Sequence, residues 1–80
     1  MRKFAVIAFD TTTDAIILEK YFKNNNISGR LIPIPEIISA GCGLAWKSES
    51  DDIENLKKIL HEGNLKWELI ELVEFKGDTK

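Results

Sequence analysis

The hydrophobic pattern opens with an unbroken apolar run, Phe4-Ala5-Val6-Ile7-Ala8-Phe9, with no polar alternation. Such a run suits a strand central in a sheet or buried on both faces. Asp10-Thr11-Thr12-Thr13 follows, residue types whose side-chain oxygens accept the unpaired N–H groups of a helix start. From Asp14 to about Lys23 the period becomes helical, with Ala15, Leu18 and Phe22 on one face and Ile17 and Tyr21 widening it. Asn24-Asn25-Asn26 predicts the helix end, because asparagine tolerates left-handed backbone. Beyond a Ser28-Gly29 turn, a strand is predicted over Arg30 to Ile34. Pro33 and Pro35 cannot donate to a ladder, which places this strand at an edge. Glu36 to Cys42 reads as a connection, and a short strand runs from Gly43 to about Lys47.

Ser48 or Ser50 is expected to cap a second helix, whose positive end Glu49, Asp51, Asp52 and Glu54 complement. Ile53, Leu56 and Leu60 form its buried stripe, and Gly63 supplies the stop. The last segment, Lys66 to Phe75, sets Trp67, Leu69, Val73 and Phe75 between Glu68, Glu71 and Glu74, read as a solvated strand face. Its alternation slips at Leu69-Ile70, which predicts a bulge. Gly77 to Lys80 is expected to fray.

The order β-α-β-β-α-β predicts a ferredoxin-like α/β (α+β) sandwich: one antiparallel sheet with both helices on one face, as a single domain over residues 1–80. The first and third strands are then central and antiparallel. The end of the first strand, Phe9-Asp10, should lie beside Cys42-Gly43 at the start of the third. One end of the sheet would gather Asp10, Thr11, Thr12, Thr13, Cys42 and, from the C-terminus of the second helix, His61.

Composition narrows the chemistry. In 80 residues there are 11 basic and 13 acidic side chains, a net charge of −2 and one cysteine. The charge argues against nucleic-acid wrapping, which wants a basic stripe. One thiol forms no internal disulfide, and no Cys/His cluster offers metal-ligand spacing. The apolar run after Met1-Arg2-Lys3 is short for a signal peptide, and no stretch is long enough to span a bilayer, so a cytoplasmic protein without membrane contact is expected. A domain this small relies on tight packing or on self-association, so a homodimer is a candidate.

Residues 31–46 read Leu-Ile-Pro-Ile-Pro-Glu-Ile-Ile-Ser-Ala-Gly-Cys-Gly-Leu-Ala-Trp, with Glu36 the only charge. Glycine on both sides of Cys42 leaves its thiol open to a partner, and successive backbone N–H groups there can form an anion-binding nest. The N-terminus of the first helix nearby favours a thiolate, whereas the carbonyl end of the second opposes it. Lys47, five positions on, falls on the opposite sheet face of a regular strand. The alternative is Cys42 as a small apolar filler.

These residues carry a resemblance. Gly29-Arg30-Leu31-Ile32-Pro33-Ile34-Pro35 followed by Ser39-Ala40-Gly41-Cys42-Gly43-Leu44-Ala45-Trp46 resembles the selenium/sulfur carrier protein-like family, whose pattern pairs Pro-x-Pro with Ser-x-x-Cys-Gly. The likeness extends over nearly the whole chain. It implies a carrier rather than a catalyst, with Cys42 accepting sulfur or selenium as a persulfide or perselenide and with no metal or organic cofactor. Gly41, Gly43, Ser39 and Thr12 would bind or stabilise, and a cysteine desulfurase-type donor and an acceptor protein would be partners. The chain departs from the family at Glu36 and Ile37, where a basic and then an acidic residue are usual. A carboxylate beside Cys42 would favour the neutral thiol.

The remaining candidates are weaker. His61 is a possible proton donor to Cys42, or a solvated residue suited to a helix end. The three threonines can bind an anion or merely cap the helix. Trp46 is a contact surface or core. Two other functions compete with the carrier: an interaction module in which Cys42 is structural and residues 31–46 form a partner or dimer surface, and a thiol redox sensor needing a resolving cysteine from elsewhere.

Overall fold

The structure, a computed structural model, describes residues 2–35, 37–38 and 42–75. The elements are β1 (Arg2–Ala8), α1 (Thr12–Asn24), β2 (Gly29–Pro33), β3 (Leu44–Ser48), α2 (Ile53–Glu62) and β4 (Leu69–Phe75). They form one four-stranded antiparallel sheet in the order β2-β3-β1-β4. This is the ferredoxin-like arrangement, with β1 and β3 central and the proline-bearing β2 at an edge.

Both helices cover one face. Ala5, Ile7 and Phe9 from the first strand and its exit meet Trp46, Ala15, Leu18 and Phe22 of α1, and Leu56 and Leu60 of α2. Trp46 is therefore core, its ring edge-to-face with Phe22 at 5.3 Å and 87°. Gly29 lies beside it, where a Cβ would come within 2.7 Å of the indole Nε1. That Nε1 is buried without a hydrogen-bond partner among the described residues.

The other face is also dry. Val6, Ala8, Ala45 and Val73 form a second cluster there, covered by Ile38 from the β2–β3 connection and flanked by Ile32, Ile34, Leu69 and Phe75. Burial on both faces accounts for the unbroken run Phe4–Phe9. It also accounts for Leu69-Ile70. The β1–β4 register runs without interruption from Arg2↔Phe75 to Ala8↔Leu69, so the expected bulge is absent. Leu69 turns to the second cluster and Ile70 to the helix-side core. A pleat alternates sides, so the glutamates at spacing three also divide: Glu71 shares a side with Val6, and Glu74 lies on the other. They are not one solvated face.

The helix ends differ from expectation in an instructive way. Thr11 caps α1 and accepts the Asp14 N–H at 3.1 Å. Neither Ser48 nor Ser50 caps α2; the cap is Asp52, whose Oδ1 accepts the Asn55 N–H at 3.1 Å. The serines act one step earlier, Ser48 Oγ accepting from Ser50 N–H and Ser50 Oγ from Asp52 N–H, which leads the chain from strand to helix. Both helices close with an asparagine in left-handed backbone, Asn26 (φ 59°) and Asn64 (φ 53°). After each, an apolar residue donates back to the last buried turn: Ile27 to Phe22 O at 2.8 Å and Leu65 to Leu60 O at 3.0 Å. Gly63 itself has φ −84°. It is small because a Cβ there would lie 2.8 Å from the Tyr21 ring.

Candidate functional site

Backbone pairing sets the position of Cys42. Its N–H donates to Phe9 O at 3.4 Å, just beyond the end of β1, and the next carbonyl, Gly43, accepts the Ile34 N–H at 3.0 Å. The segment before β3 is thus held between the exits of β1 and β2. This is the juxtaposition of Phe9-Asp10 with Cys42-Gly43 that strand order demanded.

The thiol is half-buried and packs against the helix-side core. Its Sγ accepts the Leu44 N–H at 3.4 Å and lies 3.6 Å from Leu44 O, to which the thiol proton can donate. The sulfur therefore sits over its own turn, Cys42-Gly43-Leu44. Gly43 makes that turn with φ 77°, a left-handed value that disfavours side chains, although the space around its missing Cβ is open. The need for glycine there is conformational.

The other expected members of the site are distributed around this end of the sheet. Thr12 is the first residue of α1 and exposed, three positions beyond Phe9. Thr11 serves as the cap, and Asp10 and Thr13 are exposed. His61 is exposed in the last turn of α2, where its carbonyl accepts the Asn64 N–H; no described contact joins its ring to Cys42. Gly41, Ser39 and Glu36 lie outside the described residues. Lys47 points to the helix-free face, its ammonium 4.2 Å from the Phe4 ring centre and 4.3 Å from that of Phe75. That separates it from Cys42, as the odd spacing required.

The groups that touch Cys42 and that residue types did not announce are backbone atoms, those of Phe9 and Leu44. Only strand order could have suggested Phe9. The apolar side chains of residues 31–46 go largely into the two clusters, Ile38, Ala45 and Trp46 fully and Leu31, Ile32, Ile34 and Leu44 in part, while Ile37 is 77% exposed.

Comparison with known families shows that the model of the family described as "Putative Se/S carrier protein-like" fits residues 4–70. No curated protein and no solved structure matches the chain. Among the described residues no helix is long and apolar enough to cross a membrane.

Proposed function

The chain belongs to the Se/S carrier protein-like family, and we propose that it carries sulfur or selenium on Cys42. The observation that supports this reading is the family match itself, which spans most of the chain and encloses its one thiol. The position of Cys42 suits the task. It stands at a sheet end on a backbone held from both sides.

The step is an exchange. The Cys42 thiolate attacks the outer sulfur of a donor persulfide; the donor's S–S bond breaks, a new S–S bond forms on Cys42, and the donor departs as a thiolate. An acceptor thiolate then attacks the same outer sulfur and Cys42 leaves with the electron pair. A perselenide follows the same course with selenium as the outer atom. No electrons are gained or lost overall, so neither oxidant nor cofactor is required. The Leu44 N–H gives the attacking sulfur one hydrogen bond, stronger while the sulfur is ionised. Gly43 keeps that N–H aimed by holding the left-handed turn.

In this reading the protein is a carrier and not a catalyst, working in a reducing cytoplasm where a single thiol stays free, between a cysteine desulfurase-type donor and an acceptor protein. Intact-mass measurement after incubation with a persulfide donor tests it. One added sulfur on the native protein, absent from Cys42→Ser, is the expected result. An unmodified native protein contradicts the proposal and leaves Cys42 as a packing residue.

A further inference from the structure

The two edges of the sheet are unequally protected. Ala5 N–H reaches Ser50 O and Phe9 O takes the Cys42 N–H, so the odd residues of β1 direct their backbone groups toward β3. The even residues face β4, where Ala8 O accepts the Glu68 N–H at 2.7 Å. Their partners Leu69, Glu71, Val73 and Phe75 are thereby committed to β1. Alternation leaves the N–H and C=O groups of Ile70, Leu72 and Glu74 pointing outward. On the opposite edge the same reasoning turns Gly29, Leu31 and Pro33 outward, and proline has no N–H to offer. The edge at β4 has no proline and no bulge from Leu69 to Phe75; its guard is Glu71 and Glu74, exposed charges that repel an acidic strand and admit a basic one. Leu72, central on that edge, is 44% exposed.

We propose that β4 is a docking edge for an extended segment of a partner protein that carries basic residues at spacing three between apolar ones. The chemistry follows from the register. An antiparallel strand laid on this edge sets successive residues against Glu74, Val73, Leu72, Glu71 and Ile70, so its complement reads basic-apolar-apolar-basic-apolar. The charges favour a basic strand over a second copy of the chain. Two β4 strands paired antiparallel about Leu72 set Glu71 against Val73 and Glu74 against Ile70 and supply no cation to any of the four carboxylates, whereas a basic strand sets one opposite Glu71 and a second beside Glu74, which Lys3 faces from β1. The docked strand lies three strand spacings, about 14 Å, from β3, which leaves the Cys42 end of the sheet uncovered. The proposal is independent of any chemistry at Cys42.

The test uses the full chain and a fluorescent peptide, Thr-Lys-Val-Val-Lys-Val-Thr, with its twin bearing Glu for both Lys, followed by anisotropy. Saturable binding of the basic peptide is expected, weakened about tenfold or more in the acidic twin, since two attractive pairs become repulsive. Leu72→Pro removes an outward N–H without touching the β1 ladder, so it abolishes binding while the thermal melt stays cooperative. The double variant Glu71→Lys, Glu74→Lys reverses the preference to the acidic twin and decides the matter should Leu72→Pro fail to fold. No saturable binding, equal binding of both peptides, or undiminished binding by folded Leu72→Pro overturns the proposal. So does a concentration-dependent dimer in sedimentation that Leu72→Pro dissolves, because the occupant is then a second copy.

Discussion

Three glycines show how one residue type answers three different needs. Gly43 has a positive φ and open space around it, so a side chain costs conformation alone; Gly63 has ordinary backbone, so a side chain costs space alone. Gly29 is constrained in both ways, with φ +150° and a Cβ position 2.6 Å from Lys47 O. These differences predict different rescues. Gly43→Ala should lose about 1–2 kcal/mol in urea unfolding, with Gly43→Asn recovering part of it, because asparagine visits left-handed backbone more readily. Gly63→Ala should lose about 1–3 kcal/mol through collision with Tyr21, and trimming Tyr21 to Leu in the same chain should restore part of that. If Gly63→Asn is better tolerated than Gly63→Ala, the steric account of Gly63 is wrong. The sequence shows a glycine at a helix end and suggests a left-handed stop. The left-handed residue is in fact Asn64, because Tyr21 of the other helix claims the space at Gly63. A contact between helices leaves no trace in local spacing.

At the scale of elements, the strands and helices were legible wherever burial followed one period. The stripes Ala15–Leu18–Phe22 and Leu56–Leu60 are buried as the helical period requires, whereas Ile17, expected to widen the first, is exposed. Both failures arose where two signals overlapped. Ser48, Ser50 and Asp52 are all capping types, and only the length of β3 determines which one meets the helix start. Asp52→Ala should therefore cost about 1 kcal/mol by chemical denaturation, the usual loss for a removed cap. Ser50→Ala should cost less, since its Oγ supports the approach to the cap and no helical N–H. A larger loss at Ser50 than at Asp52 would return the cap to the serine. The slip at Leu69-Ile70 was the second overlap. A strand with apolar groups on both faces looks like a strand with an inserted residue when only one face is assumed to be dry.

For the whole molecule, the unexpected feature is the second core, on the face without helices. The β2–β3 connection folds back so that Ile38 is 5% exposed over Val6, Ala8, Ala45 and Val73, while its neighbour Ile37 stays 77% exposed. Ile38→Ala should destabilise by about 2–4 kcal/mol in thermal or urea unfolding, as for a buried isoleucine. Ile37→Ser should remain within about 0.5 kcal/mol of the parent. Equal effects would mean that the connection does not cover the sheet. That same connection carries the Ser-Ala-Gly-Cys-Gly motif, which begins directly after Ile38 in the chain. The sequence pointed to Cys42 through its flanking glycines and its resemblance, and topology alone placed it beside Phe9. Its hydrogen bonds to Leu44 were not legible, because backbone atoms are common to all residues. As a carrier, the protein would be loaded and discharged at this thiol. The direct measurement loads the protein from a persulfide or perselenide donor, maps the added atom by peptide mass, and then adds an acceptor thiol. One sulfur or selenium is expected on Cys42, released stoichiometrically to the acceptor with the free thiol regenerated. An adduct spread over other residues, or one on Cys42 that the acceptor cannot remove, would contradict it.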